Sequence, residues 1–199
     1  MLESSKRSII FVTNNLNKVK EVEAILSKYN IVVEASSIKK REIQSEQLEE
    51  IAEESALSAY QILKRPLFVE DSGLFIKALN GFPGPYSSYT YKKIGVAGIL
   101  KLMAGEKNRA AEFVSQIAYI NEDGVIKLCR GVCEGEIAEE ARGSLGFGFD
   151  PIFIPKGHTK TFAEMSLEEK NLFSHRARAA HLLAEMLLKL ANNCNIHNR

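Results

Sequence analysis

The sequence predicts a mixed α/β fold, and three observations carry that reading. SIIFV at 8–12 is a short β-branched run that leads through a polar turn into apolar residues at helical spacing. QLEEIAEESALSAYQIL at 47–63 is a strongly amphipathic helix followed at once by another apolar run, LFVE. AAEFVSQIAYI and VIKLCRGVC flank NEDG, the pattern of a β-hairpin. Strand and helix therefore alternate early in the chain, and a hairpin is inserted in its second half.

Taken in order, SIIFV reads as a buried strand and TNNLNK at 13–18 as the turn after it. Val19, Val22, Ile25, Leu26 and Tyr29 then recur on one helical face. IVVEAS at 31–36 is a second strand, and 37–46 is polar and irregular. The helix over 47–63 ends before Pro66, which cannot continue it. LFVE reads as a strand that breaks at Asp71, with LFIKAL resuming the sheet after a kink. Residues 91–104 read as a helix despite Gly95 and Gly98. After the hairpin, EGEIAEEARGS is a polar connection and LGFGFDPIFIP a glycine-spaced aromatic stretch. Ser166 and Glu169 stand at capping-box spacing, and Ser174 is placed to cap a second helix.

Composition narrows the function. A chain of 199 residues, 45% hydrophobic and 26% charged, is long enough to bury a sizeable core and fits one domain or two small lobes. Its net charge of +1 gives no global field for nucleic acid. No apolar run approaches the roughly 20 residues that cross a bilayer, and SIIFV is too short for a signal peptide. Three cysteines, read as reduced, and four scattered histidines without zinc-site spacing point to a cytoplasmic protein. Of 25 acidic residues only Asp71, Asp123 and Asp150 are aspartates; Asp123 lies in a turn, so VEDSG and GFDP are where a short carboxylate is demanded.

The candidate chemistry gathers at four places. A strand running through TNNLNK into a helix presents free N–H groups and a positive dipole end, which suit an anion such as phosphate. Thr13, Asn14 and Asn15 add side-chain donors and Lys18 a mobile charge. Glu70 and Asp71 end an apolar run, where α/β sheets bind ligands. Side chains alternate along a strand, so Asp71 is taken to face the cleft and Glu70 to point elsewhere. Beside a phosphate site, carboxylate oxygens suit Mg²⁺, and Glu42 and Glu46 both lie in the polar segment that could supply a second one. Phe147 and Phe149 offer stacking faces for a planar base, and Asp150 an acceptor for ring N–H groups. In KNLFSHR, Lys170, Ser174, His175 and Arg176 offer donors for carbonyl oxygens.

TNNLNK, VEDSGL with GFPGPYSS, FGFDPIF, and AEM followed by EKN and SHR occur in an order and at spacings that resemble the inosine triphosphate pyrophosphatase family, from about Ile9 to Leu190. The resemblance implies one such domain over 1–199, with an elongated long mixed β-sheet flanked by helices, two lobes around a central cleft, and a homodimer. It implies Mg²⁺-dependent hydrolysis of ITP, dITP and XTP to the monophosphate and pyrophosphate, with no nucleic-acid or membrane partner. Matched position by position, Thr13, Asn15 and Lys18 correspond to the triphosphate-binding segment. Asp71 corresponds to the proton acceptor and metal ligand, and Ser72 to a substrate contact. Glu42 matches the second metal-binding carboxylate, with Glu46 the competing register. Phe147, Gly148, Phe149 and Asp150 correspond to the base-binding segment, and Lys170, His175 and Arg176 to the remaining nucleotide contacts. The chain departs from many members in having Phe at 149 rather than Trp or Tyr, and SSYTYKK where an Arg is common.

Overall fold

A computed structural model describes residues 7–196, with side chains through 190. Seven strands form one mixed sheet in the order β2-β1-β3-β5-β6-β7, with β4 paired to β3. β1 (Arg7–Val12) runs parallel to β2 (Ile31–Ser36), connected by α1 (Leu16–Leu26). Ile9 and Phe11 face α1 and the C-terminal helix α5 (His175–Ile196), while Ile10 and Val12 face α2 (Leu48–Leu63). Burial on both faces is the signature of a central parallel strand, and it explains why SIIFV is apolar without a gap.

β3 (Leu67–Ile76) positions the candidate carboxylates, and here the structure departs from expectation. The strand does not break at Asp71. It pairs in unbroken antiparallel register with β5 (Ala110–Ile120), from Leu67 opposite Ile120 to Ile76 opposite Ala111. What stops is the pairing on its other side. β1 reaches β3 only at Leu67 and Phe68, and β4 (Pro83–Gly84) begins only at Leu74. Val69 through Gly73 therefore border a gap between two partners, and the polar turn leaving β1 stands at its rim. Small and charged residues in mid-strand belong to that opening.

β6 (Ile126–Ile137) completes the expected hairpin and extends through EGEI, where the sequence predicts a polar connection. β7 (Phe153–Pro155) closes the sheet. α3 (Ser87–Leu102) starts earlier than expected and is two helical pieces, because Gly95 adopts φ 61° and ψ −166°. A second hydrophobic centre, with Leu74, Ile99, Phe113, Phe149, Phe153 and Phe162, packs this half of the molecule. Both expected caps form: Ser166 and Glu169 bond reciprocally at the start of α4 (Leu167–Lys170), and Ser174 Oγ accepts from Ala177 N at 3.2 Å. Cys129 and Cys133 are free and buried; Cys194 has its side chain outside the described residues. Among the described residues no helix is long and apolar enough to cross a membrane.

Gly131 sets where α5 begins. A Cβ there would meet His175 O at 2.0 Å and Ala179 N at 2.6 Å, both backbone atoms. The first turn of α5 therefore rests directly on β6. We expect Gly131→Ala to destabilise the protein by about 1–3 kcal/mol, as overpacking does, in urea denaturation. An unchanged midpoint would show that the helix does not press on the strand as described.

Candidate active site

The turn between β1 and α1 is held by its own side chains. Thr13 Oγ1 accepts from Asn15 N at 3.1 Å, and Asn15 Oδ1 caps α1 by accepting from Asn17 N at 3.0 Å and Lys18 N at 3.4 Å. Asn14 is exposed. This geometry aims Lys18 across the gap: its ammonium donates to Glu70 O at 3.1 Å and lies 2.8 Å from Glu70 Oε2. The second contact is an ion pair rather than an aligned hydrogen bond.

Glu70 points away from Asp71, as strand alternation requires, into a buried network. Its Oε1 accepts from Ser115 Oγ at 2.6 Å and from Arg176 Nε at 3.1 Å. Arg176 also donates to Ser72 Oγ at 2.8 Å and pairs with Glu21. Lys170 donates to Glu21 Oε1 and to Asp150 Oδ2, each at 2.7 Å. Three cations (Lys18, Lys170, Arg176) thus meet three carboxylates (Glu21, Glu70, Asp150), and the network closes in charge. Closure is needed, since a buried ion without a partner costs several kcal/mol. Burial pushes the Glu70 carboxyl up, but Arg176 and Lys18 outweigh it and hold the group at about 2. Burial likewise opposes Arg176 and Lys170 at Glu21, and they win, keeping it below the ordinary range.

Asp71 stands outside this closure. Its Oδ2 is buried without a hydrogen-bond partner. Burial raises its pKa above the usual aspartate value, against the pull of Lys18 and Lys40. Glu42 shares its surroundings: Lys18 and Lys40 pull both acids down, and the charge of Glu42 pushes Asp71 up. A hydrogen bond from Lys40, at 2.8 Å to Oε1, is the largest influence holding Glu42 below the ordinary range. Glu46 is exposed, and no contact draws it to this cluster among the described residues.

The aromatic segment is arranged differently from expectation. Phe149 is 3% exposed and packs in the core, edge-on to Tyr91 at 5.4 Å, so it offers no free face to a base. Asp150 is turned inward, where its Oδ2 also accepts from Phe147 N at 2.8 Å and orders the loop. Gly148 is half-buried with φ 63°. Phe147 is half-buried and lies over Lys170 Nζ at 5.2 Å and Arg176 Cζ at 5.3 Å. Lys170, His175 and Arg176 are buried beneath it rather than presented at the surface. His175 stacks on Phe113 at 4.7 Å; burial, with Arg176 and Lys170 nearby, drives its pKa well below the ordinary value and keeps the ring neutral. Its Nδ1 has no partner.

Sequence reasoning missed Glu21, Ser115 and Lys40. Glu21 alone left a signal, an acid beside Val22 on the apolar face of α1. Two cavities, of about 430 and 390 Å³, lie instead around Glu134, Lys156 and His158 and around Phe173. Neither touches the carboxylate cluster, which borders the open gap in the sheet.

Comparison with known proteins adds a lineage to this geometry. The family model described as Ham1 family matches residues 9–186. The chain is 52% identical over 176 residues to a dITP/XTP pyrophosphatase of Saccharolobus solfataricus, covering 88% of this chain and 91% of that one. It is 51% identical over 179 residues to the Thermococcus kodakarensis dITP/XTP pyrophosphatase, covering 90% and 96%. Among solved structures, a HAM1 protein from Coxiella burnetii superposes with a TM-score of 0.82 at 34% identity, over 92% of this chain and 99% of that one. The Staphylococcus aureus Ham1 protein gives 0.79 at 30% identity, over 92% and 99%.

The Glu70 ion pairs generate a signed expectation. A carboxyl held at about 2 instead of 4.5 stabilises the fold fully above 4.5 and loses that contribution as pH falls toward 2. Glu70→Gln should cost about 3–5 kcal/mol at neutral pH, as a broken buried pair does. Chemical denaturation of both proteins should show the difference shrinking between pH 4.5 and 2. A difference independent of pH would remove the ionised Glu70 from the stability.

Proposed function

The chain belongs to the Ham1 family, and from that premise we propose that it hydrolyses non-standard purine nucleoside triphosphates, ITP, dITP and XTP, to the monophosphate and pyrophosphate. The observation that carries the reading is the odd carboxylate: half-buried Asp71, whose inner oxygen has no partner, next to a network whose charges are matched. The relatives' names supply the substrate class.

In this reading the triphosphate lies along the gap beside β3, near the β1–α1 turn. Water attacks the α-phosphorus, the bond to the bridging oxygen breaks, and pyrophosphate leaves. Asp71 accepts the proton of the attacking water, a role favoured by the burial that raises its basicity. Lys18, fixed by Glu70, faces the charge that grows on the leaving group. Ser72, held by Arg176, lies beside Asp71 to orient the substrate.

The donor set fits a divalent cation. Asp71 offers an unpartnered buried oxygen and Glu42 an exposed one. Among the described residues no three His, Cys, Asp or Glu side chains converge on one point. Such a sparse set suits Mg²⁺, which keeps waters and takes one or two carboxylates together with substrate phosphates. Asp71 and Glu42 would hold it, and when bound it would neutralise phosphate charge. Ligation weakens Asp71 as a base, so its two roles oppose each other.

The purine stacks on the exposed part of Phe147, whose buried side rests on Lys170 and Arg176. Those cations act on the base through the ring and through the loop that Asp150 orders. We further infer a homodimer acting in the cytoplasm: Tyr89 and Ile94 leave apolar surface exposed on α3, and free Cys129 and Cys133 suit a reducing compartment.

A triphosphate panel with Mg²⁺, reading released pyrophosphate, tests the proposal: ITP, dITP and XTP should turn over well ahead of ATP and GTP. Asp71→Asn should lose about 10²–10⁴-fold in rate while melting normally; near wild-type turnover would remove Asp71 from the chemistry. Excess chelator should abolish activity. Phe147→Ala should weaken substrate binding by the loss of one stacked base, about 1–3 kcal/mol, seen as a raised KM. An unchanged KM would place the purine elsewhere.

A further inference from the structure

We propose that Lys40 is a tethered competitor for the divalent cation at Glu42, so that the ion enters with the nucleotide as a complex rather than ahead of it. The inference rests on the reading of Asp71 and Glu42 as cation ligands. Lys40 Nζ donates to Glu42 Oε1 at 2.8 Å and to Ser55 Oγ at 3.3 Å. Ser55 is fully buried in α2, and its hydroxyl also donates to Arg41 O at 3.3 Å. The Lys40 side chain is 11% exposed, whereas that of Glu42 is 70% exposed. An anchored ammonium therefore holds a carboxylate that otherwise faces solvent.

The lysine occupies one of the two acids. A bare divalent ion seeking those two carboxylates meets one that already holds the Lys40 ammonium and must sit close to that like charge. Lys18 is nearby too, but its ammonium is already engaged by Glu70. An ion carried on a triphosphate brings negative charge with it, and the Lys40 ammonium can turn from Glu42 to a phosphate oxygen. The repulsion that opposes the bare ion is then replaced by attraction.

The test is Mn²⁺ binding to the nucleotide-free protein, followed by electron paramagnetic resonance. Lys40→Met should bind Mn²⁺ about tenfold more tightly than wild type, the scale expected when a unit charge is removed within several ångströms of a divalent site. Lys40→Arg should keep the weak wild-type affinity. Lys40→Gln, which retains a hydrogen-bonding end for Ser55, carries the same expectation as Met if Met unsettles the fold. Glu42→Gln should weaken binding. If Glu42→Gln binds Mn²⁺ as wild type does, the cation site is misassigned and the Lys40 inference falls with it. If Glu42→Gln weakens binding but neither neutral substitution at Lys40 strengthens it, the inference alone is overturned.

Discussion

Glu70 is the constraint around which the rest of the site is arranged. One carboxylate in the middle of β3 receives Lys18 from α1, Ser115 from β5 and Arg176 from α5. Three separate parts of the fold are thereby referred to a single buried charge. Arg176 extends the reference to Glu21 and Ser72, and Lys170 carries it on to Asp150 and the aromatic loop. Desolvation makes each of these groups intolerant of losing its partner, so the network resists rearrangement. Asp71, one residue along, inherits a rigid setting without being consumed by it.

The sheet supplies the space. A doubly flanked strand normally has neighbours along its whole length, but β3 has two partners in succession on one side with an interval between them. Backbone polar groups in that interval face the turn after β1. The same strand is fully paired to β5 on its other side, so the opening does not weaken the sheet. Alternation then divides the two acids: one goes into the network, the other toward the opening.

Much of this was legible in the chain. The β1–α1 unit, the NEDG hairpin and the caps at Ser166 and Ser174 follow from local chemistry, and local chemistry decided them. The motifs that resemble the inosine triphosphate pyrophosphatase family stand in order along the chain, so the grouping of Lys18, Asp71 and the 170–176 segment is expected. Tertiary effects were harder to read. The run of β3 past Asp71 depends on β5, some forty residues away, and an Asp-Ser-Gly sequence by itself signals a turn. The break at Gly95 depends on a positive φ that spacing does not reveal. Phe149 and Phe147 look equivalent in FGFD, yet one is core and the other lies over two cations. Lys40 and Glu21 acquire meaning only from distant partners.

The span of these contacts bears on how the protein is made. Glu21 is joined to Lys170 and Arg176 across 149 and 155 residues, nearly the length of the chain. During synthesis the first loop emerges early and the C-terminal helix last. Until the C-terminal segment docks, Glu21 lacks both Lys170 and Arg176, and Glu70 lacks Arg176. A nascent or truncated chain lacking it has an incomplete charge network. The buried network is thus completed in one late event, together with the closing of the hydrophobic core under α5.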